Sequence, residues 1–350
     1  MKRSFVFAVP GDLDTPTGGY AYDRRMIAEL ENLGWDVDIL DLGSEFPRPS
    51  PAARSVARAR LETVPPGRRI VIDGLALGAL PEAAAALSKS HKLIALVHHP
   101  LALETGLSPA DADALRQSER AALAAVHHVV VTSAATARLL GTEYAVAAER
   151  ISVALPGVDP VVQSQRSRDG PVALLSVGAL VPRKGYDVLL AALATIVHLP
   201  WRLTIAGARD RSPATAAALD ATITALNFAG RVNLAGAVAA DRLAHLYETA
   251  DVFVLASRYD GYGMALAEAI AYGLPIIAAR AGAIPDTVPA GAGILVPPDD
   301  SIALAAALRR VIENGEERRC LAAGARAAAA RLPTWSQSAQ IVASVLEAVT

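Results

Sequence analysis

Ser257 to Gly282 runs S-R-Y-D-G-Y-G-M-A-L-A-E-A-I-A-Y-G-L-P-I-I-A-A-R-A-G. The residues just before it, Val252 to Ala256, form a short apolar run with β-branched members, the pattern of a buried parallel strand. Asp260 and Gly261-Tyr262-Gly263 follow, and the glycines allow a sharp turn and the close approach of another group. Met264 to Tyr272 is helix-forming and is stopped by Gly273 and Pro275, after which Ile276 to Ala279 reads as a second apolar strand. Strand, glycine turn, helix and strand in that order set backbone N–H groups and a helix N-terminus at the end of a sheet. Such a place binds phosphate, because unpaired donors and the positive end of the helix dipole converge there. Asp260 by the turn and Glu268 on the second helical turn are carboxylates able to accept from sugar hydroxyls.

Taken alone, the stretch is also compatible with a plain βαβ unit carrying a solvated Asp and Glu. Its detailed spacing separates the two readings. Seven residues lie between Asp260 and Glu268, with G-Y-G-M after the first acid and A-Y-G-L-P after the second. This resembles the donor-site signature of the family-4 glycosyltransferases (glycosyl transferases group 1), whose pattern is Glu, seven residues, Glu, with G-[FY]-G-[LM] between and G-x-P after. The chain departs from it at the first acid, where Asp is one methylene shorter than Glu.

A length of 350 residues is more than one core usually holds, so two domains are expected. With 53% hydrophobic and 19% charged residues, the composition is that of a packed globular protein rather than a disordered one. The net charge is −2, and division at Gly170 leaves about −2 and 0, so neither half is a basic nucleic-acid module. Cys320 is the only cysteine, which excludes an internal disulfide and suits a reducing compartment. The apolar run after Met1-Lys2-Arg3 is too short for a signal peptide, and Asp12 and Asp14 follow it. No apolar run reaches transmembrane length. A cytoplasmic enzyme is expected, with peripheral contact to the inner membrane face left open.

In chain order, residues 4–9 read as a strand. A loop containing Gly18 and Gly19 leads into a helix at about 20–33, and Val37 to Leu40 forms the next strand. No G-x-G-x-x-G is present, so a nicotinamide fingerprint is missing. The double glycine is either a plain turn or one wall of a diphosphate cleft. Residues 51–63 read as a helix carrying Arg54, Arg58 and Arg60, with Arg68 and Arg69 beyond. These arginines are either a solvated face or a basic surface for an anionic acceptor or an acidic membrane. The strand Leu93 to Val97 ends in His98-His99-Pro100-Leu101-Ala102-Leu103-Glu104, where parallel α/β proteins bind ligands. A metal reading of the histidine pair lacks further suitably spaced Cys or His residues, and neighbours on an extended chain point apart. A structural pair and a ligand contact both stay open. Helix 109–126, strand 128–131, helix 133–140 and strand 151–154 complete this half.

The second half opens with strand Val172 to Val177, then Gly178 and the loop Arg183-Lys184-Gly185, then a helix at about 186–197. Lys184 stands out, because the 33 basic residues comprise 29 arginines and only 4 lysines. Arg183 offers a fork of donors to a diphosphate and Lys184 a compact charge. The G-x-L-x-x-x-K-G they occupy is similar to the family's second hallmark. Pro156-Gly157-Val158-Asp159 resembles the family's P-x-G-[VI]-D without the intervening residue, and His99, with His98 as the alternative, matches its active-site histidine loop. The span Arg231 to Val238 resembles its base-binding strand and loop.

The resemblance implies a GT-B fold: two Rossmann-like doubly wound α/β domains facing a central cleft. The N-terminal, acceptor-side domain would cover 1–158, a linker 159–170 and the nucleotide-sugar domain 171–333. A helix over 334–350 would return to the first domain. It further implies a retaining hexosyltransferase in which the departing diphosphate takes the acceptor's proton, with no obligatory metal and no cofactor. UDP-sugars are expected slightly ahead of GDP-sugars as donor. In that scheme Arg183 and Lys184 neutralise the leaving group, assisted by Gly178, Gly18, Gly19 and the N–H groups of Gly261, Tyr262, Gly263 and Met264. Asp260 holds the donor sugar, Glu268 the ribose, and Val238 lies at the base. His99 or His98 meets the sugar, and Glu104 orders the loop or meets the acceptor. A nucleotide-sugar epimerase of the same fold and a non-catalytic sugar-nucleotide-binding protein are the rival readings. Acceptor and oligomeric state are not legible.

Overall fold

The computed structural model describes residues 3–104, 106–161 and 170–349. The chain forms two compact units, residues 1–157 with 333–350 and residues 158–332. Most of the linker expected at 159–170 lies outside the described residues.

In the first unit, strands β1 (Ser4–Val9), β2 (Asp36–Asp41), β3 (Arg69–Asp73), β4 (Lys92–Val97), β5 (His128–Val131) and β6 (Ile151–Val153) form a parallel sheet in the order β2-β1-β3-β4-β5-β6. The second unit holds β7 (Val172–Val177), β8 (Trp201–Ala206), β9 (Val232–Gly236), β10 (Val252–Leu255), β11 (Ile276–Ala279) and β12 (Gly293–Val296). These are also parallel, in the order β12-β11-β10-β7-β8-β9. Strands β10 and β11 are apolar along their whole length because helices cover both faces. Residues 252–255 and 276–278 are fully buried and Ala279 nearly so, with no polar–apolar alternation.

The two sheets are doubly wound but not identical in topology. The second has the order of dinucleotide-binding sheets and reverses between β7 and β10. The first has the flavodoxin-like order and reverses between β1 and β3. At each reversal the connections leave in opposite directions and open a crevice at the carboxyl ends of the strands, where ligands bind. In the second unit the segments bordering it are 178–185 and 256–263; in the first, 10–19 and the end of β3.

Most elements follow the sequence reading within two or three residues, the range over which helix ends fray. The helix after the double glycine is Gly18–Asn32 and so includes both glycines, with Thr17 Oγ1 capping it by accepting from Tyr20 N. Helices Gly74–Leu77, Pro81–Leu87 and Pro213–Ala225, which the sequence reading passed over, complete the crossovers. The final helix, Trp335–Ala348, packs on Gly18–Asn32 within the first unit, where Trp335 meets Tyr22 at 5.7 Å between rings. Gly157 permits this docking, since a Cβ there would lie 2.2 Å from the backbone N of Trp335. The basic stretch is substantially neutralised. Arg58 pairs with Glu62, Arg60 with Asp41 and Arg68 with Asp38, while Arg69 donates to the Val349 carbonyl. No helix among the described residues is long and apolar enough to cross a membrane.

Candidate active site

In the second unit, β7 ends at Gly178 and the chain passes through a short 3-10 turn, Pro182–Lys184, into helix Tyr186–Thr195. Gly185 closes that turn at φ 64°, and a Cβ on it would sit 2.1 Å from the Ala256 carbonyl oxygen. Only glycine brings the basic loop this close to the end of β10. Lys184 lies over Gly178, where a Cβ would be 2.9 Å from its Cε. Its Nζ donates to Asp260 Oδ2 at 2.6 Å, across 76 positions of sequence.

Asp260 is buried, and its other oxygen accepts from Gly263 N at 3.0 Å. Burial alone pushes this carboxyl up, but the charges of Lys184 and Arg183 and the hydrogen bonds it accepts outweigh it and hold it below the usual carboxylate range. Arg183 donates to the Tyr259 carbonyl at 2.9 Å. Gly263, at φ 81°, is the N-cap of helix Met264–Ala271, and no side chain caps that end. The Gly261–Met264 backbone, the helix terminus, Arg183 and Lys184 therefore form one electropositive cradle. It contains a single buried carboxylate already matched by a cation.

Glu268 lies on the same helix, half-buried. Its Oε2 accepts from the Tyr247 hydroxyl at 2.7 Å, while burial raises its pKa against the lowering effect of that bond. Tyr247 is itself stacked on Tyr272 at 5.2 Å between rings. Val238 lies in the loop between β9 and helix Ala240–Thr249, half-buried. Two contributors were not read from the sequence. Tyr247 orients Glu268, and Arg258 braces the basic loop by donating to the Pro182 carbonyl, to Asp187 and to Asp299. Arg258 lies in the quoted stretch, next to Ser257, but nothing local marks it as a brace.

In the first unit the two histidines separate sharply. His98 Nε2 lies 3.0 Å from Asp23 Oδ1 and 3.7 Å from Asp73 Oδ2, and its ring meets Tyr22 edge-on at 5.3 Å. Gly19 admits it, since a Cβ there would be 3.3 Å from His98 Cδ2. His99 pairs instead with Glu104 through Nε2, both partly exposed. Burial opposes the charge on His98, yet Asp23 and Asp73 prevail and raise its pKa to about 9. Burial, and then Asp23, push Asp73 up to about 7. Neither aspartate was singled out in the sequence. Their signals were Asp73 at the carboxyl end of an apolar strand and Asp23 one helical turn past Gly19. Asp23, Asp73 and His98 also have ligand atoms within 4.8 Å of one another, a spacing that suits a metal ion.

These two doubly wound sheets, each with its polar cluster at the reversal of strand order, are the architecture of GT-B glycosyltransferases. Sucrose-phosphate synthase from Thermosynechococcus elongatus superposes with a TM-score of 0.82 at 21% identity, over 99% of each chain. Anabaena Alr3699/HepE, solved in complex with UDP and glucose, gives 0.75 at 20% identity, over 98% of this chain and 99% of that one. Residues 159–328, nearly the whole second unit, match the family model for glycosyl transferases group 1, and the chain belongs to that family. Among named relatives, the MMP alpha-(1->4)-mannosyltransferase of Mycolicibacterium hassiacum is 30% identical over 275 residues, 73% of this chain and 66% of that protein. The D-inositol 3-phosphate glycosyltransferase of Xylanimonas cellulosilytica is 32% identical over 252 residues, 66% of this chain and 59% of that one. The match thus spans less than two thirds of each of these relatives' length.

Proposed function

We propose that this protein is a retaining glycosyltransferase that moves a hexosyl group from a nucleotide-diphosphate sugar to an acceptor hydroxyl. The observation that carries the reading is the cradle at the β7/β10 reversal, where Arg183, Lys184 and an uncapped helix N-terminus converge beside Asp260. Such a cradle suits a group that gains negative charge during the reaction. UDP is the first nucleotide to try, because Anabaena Alr3699/HepE was solved with UDP and with UDP-glucose.

In this scheme the bond from the anomeric carbon to the diphosphate oxygen breaks, and the acceptor oxygen bonds to the same face of that carbon. The acceptor's proton passes to the departing phosphate oxygen. Arg183 and Lys184 neutralise the leaving group, with the backbone N–H groups of residues 261–264 adding donors. Gly178 leaves room for the lysine stem, and Gly18 and Gly19 are candidates for further N–H donors to the diphosphate. Glu268, oriented by Tyr247, accepts from the ribose, and the loop at Val238 meets the base. Asp260 fixes Lys184 and accepts from a sugar hydroxyl when the donor is bound. His99 and His98 are the candidates at the sugar, and Glu104 orders the histidine loop. Retention by a carboxylate nucleophile has less support, since it would need a free carboxylate near the reacting carbon. Asp260 and Glu268 are already committed to Lys184, Gly263 and Tyr247. Catalysis is therefore electrostatic and positional, and cationic side chains stand where other enzymes use a metal.

Thermal unfolding with UDP, GDP, ADP and TDP in turn tests the reading. A nucleotide at 100 times its dissociation constant stabilises by about 2.7 kcal/mol, a shift of several degrees for a protein of this size. One nucleotide is expected to raise the midpoint and to support release of that diphosphate from its sugar form in the presence of an acceptor. No shift with any of the four in a folded sample would overturn it.

A further inference from the structure

Three elements bring Asp23, Asp73 and His98 together inside the first unit: helix Gly18–Asn32, the end of β3 and the end of β4. Asp23 is fully buried and Asp73 almost so. Asp23 Oδ1 faces His98 Nε2 at 3.0 Å, while its Oδ2 has no hydrogen-bond donor among the described residues. Asp73 divides its oxygens, accepting from Leu75 N at 2.6 Å through Oδ1 and turning Oδ2 towards His98. Among the described residues the other titratable group against the ring is Tyr22, whose hydroxyl is spent on the Ala154 carbonyl and whose ionisation burial pushes far up. His99 is turned away onto Glu104. The Thr132 hydroxyl donates to the His98 carbonyl and fixes the backbone from the β5 side.

Two ionised carboxylates and one imidazolium would leave a buried net charge of −1, which a packed interior does not tolerate without a further cation. A second proton, shared by the two aspartates, makes the cluster neutral. The ring is then held by its inner nitrogen, and Nδ1 has no partner among the described residues while the side chain stays 19% exposed. We propose that Asp23 and Asp73 are positioning residues that bind the Nε2–H of His98, keep the ring an imidazolium and offer its Nδ1–H to a negatively charged substrate oxygen. His98 is thus a fixed cationic donor and not a base, and of the two adjacent histidines it is the one the fold orients. The first turn of the Gly18–Asn32 helix, where Thr17 caps only Tyr20 N, lies against the same ring and favours the same sign of charge. The proposal rests on the glycosyl-transfer reading only for the identity of the ligand.

Ring 15N resonances of His98 in the full-length protein, assigned by comparison with His98→Gln, test it. In the wild type both ring nitrogens should stay protonated through pH 7.5. In Asp23→Asn the ring should become neutral below about pH 7, because burial then acts with little opposing charge, and Asp73→Asn should show a smaller fall in the same direction. If Asp23→Asn does not fold, Asp73→Asn, which keeps an acceptor for Leu75 N, still decides the matter. Addition of UDP or of inorganic phosphate should then move the Nδ1 resonance. UDP alone places the donor's diphosphate there, and phosphate alone places a phosphorylated acceptor. A neutral ring at pH 7 in the wild type, a titration unmoved in both variants, or an Nδ1 resonance untouched by either anion overturns the proposal. So does stoichiometric Mn2+ or Zn2+ binding that expels the ring proton, which would make the cluster a metal centre. If the ring behaves as expected but no nucleotide binds the protein, this proposal stands and the glycosyl-transfer reading falls.

Discussion

Lys184–Asp260 in the second unit and His98–Asp23–Asp73 in the first occupy the same topological position, the reversal of strand order, but their charge balance is opposite. In the second unit one buried carboxylate faces two cations, so Asp260 stays ionised and is held below its ordinary range. In the first, two buried carboxylates compete for one cation, so Asp73 is driven up to about 7 and His98 to about 9. The difference shows what a doubly wound sheet leaves undecided. It provides the crevice, and the ratio of cations to carboxylates placed there decides whether its carboxylates stay ionised or must keep a proton.

The strongest way to break this comparison is to remove the surplus cations. Arg183→Ala with Lys184→Ala should lower turnover by at least about 100-fold, the scale of losing preorganised charge at a developing anion. It should also weaken nucleoside diphosphate binding, which calorimetry would read; unchanged kinetics and affinity would remove both residues from the site. Glu268→Gln keeps the Tyr247 contact but would lose the charge-assisted bond proposed to the ribose. A rise of about tenfold in the donor's KM is expected, on the scale of one charged hydrogen bond. An effect confined to the acceptor's KM would contradict the ribose role. Asp260→Glu tests whether the shorter side chain serves Lys184 or the sugar. The extra methylene must fit a buried pocket whose two acceptor positions are taken, so a change of a few-fold or a shift in donor choice is expected. Wild-type rates with every donor would place Asp260 outside the site.

The smallest effects come from pH, and here the two clusters should move stability in opposite directions. Asp260 has a folded pKa below its ordinary 3.8, so its contribution is present above that value and is lost as the pH falls through the folded pKa. Asp73 has its pKa raised, so the native state binds the extra proton between about 4 and 7 and stability declines as the pH rises across that window. His98 adds stability that is full below 6.5 and is lost as the pH rises through about 9. Unfolding midpoints measured across pH should therefore lose part of their acid-side slope in Asp260→Asn and part of their neutral-side decline in Asp73→Asn. Parallel curves for both variants and the wild type would show that neither group is perturbed.

The glycines bear on the same comparison from the side of packing. Gly207→Ala would place a Cβ 1.8 Å from the Gly178 carbonyl oxygen, so the strand ends at the cradle must separate. A loss of about 1–3 kcal/mol is expected, accompanied by weaker nucleotide binding. Gly230→Ala, where a Cβ meets nothing within 4 Å, is the control and should lie within about 0.5 kcal/mol of the wild type.

Much of this was written locally. The apolar runs at 252–255 and 276–279, the glycine turn and the Pro-Gly stops around Met264–Ala271 determine a βαβ unit by periodicity and backbone freedom alone. The spacing of Asp260 and Glu268, and the G-x-L-x-x-x-K-G around Arg183 and Lys184, resemble the family's donor-site signature, and that resemblance implies a phosphate-bearing sugar ligand. What tertiary structure alone decided is which of these groups meet. Lys184 reaches Asp260 because β7 lies beside β10, and His98 meets Asp23 and Asp73 because β3 lies between β1 and β4. Residue spacing sets the face on which a side chain stands, but the charge a buried group carries depends on its neighbours in space. Those neighbours come from strands far apart in sequence, so two adjacent histidines that read alike end in opposite surroundings.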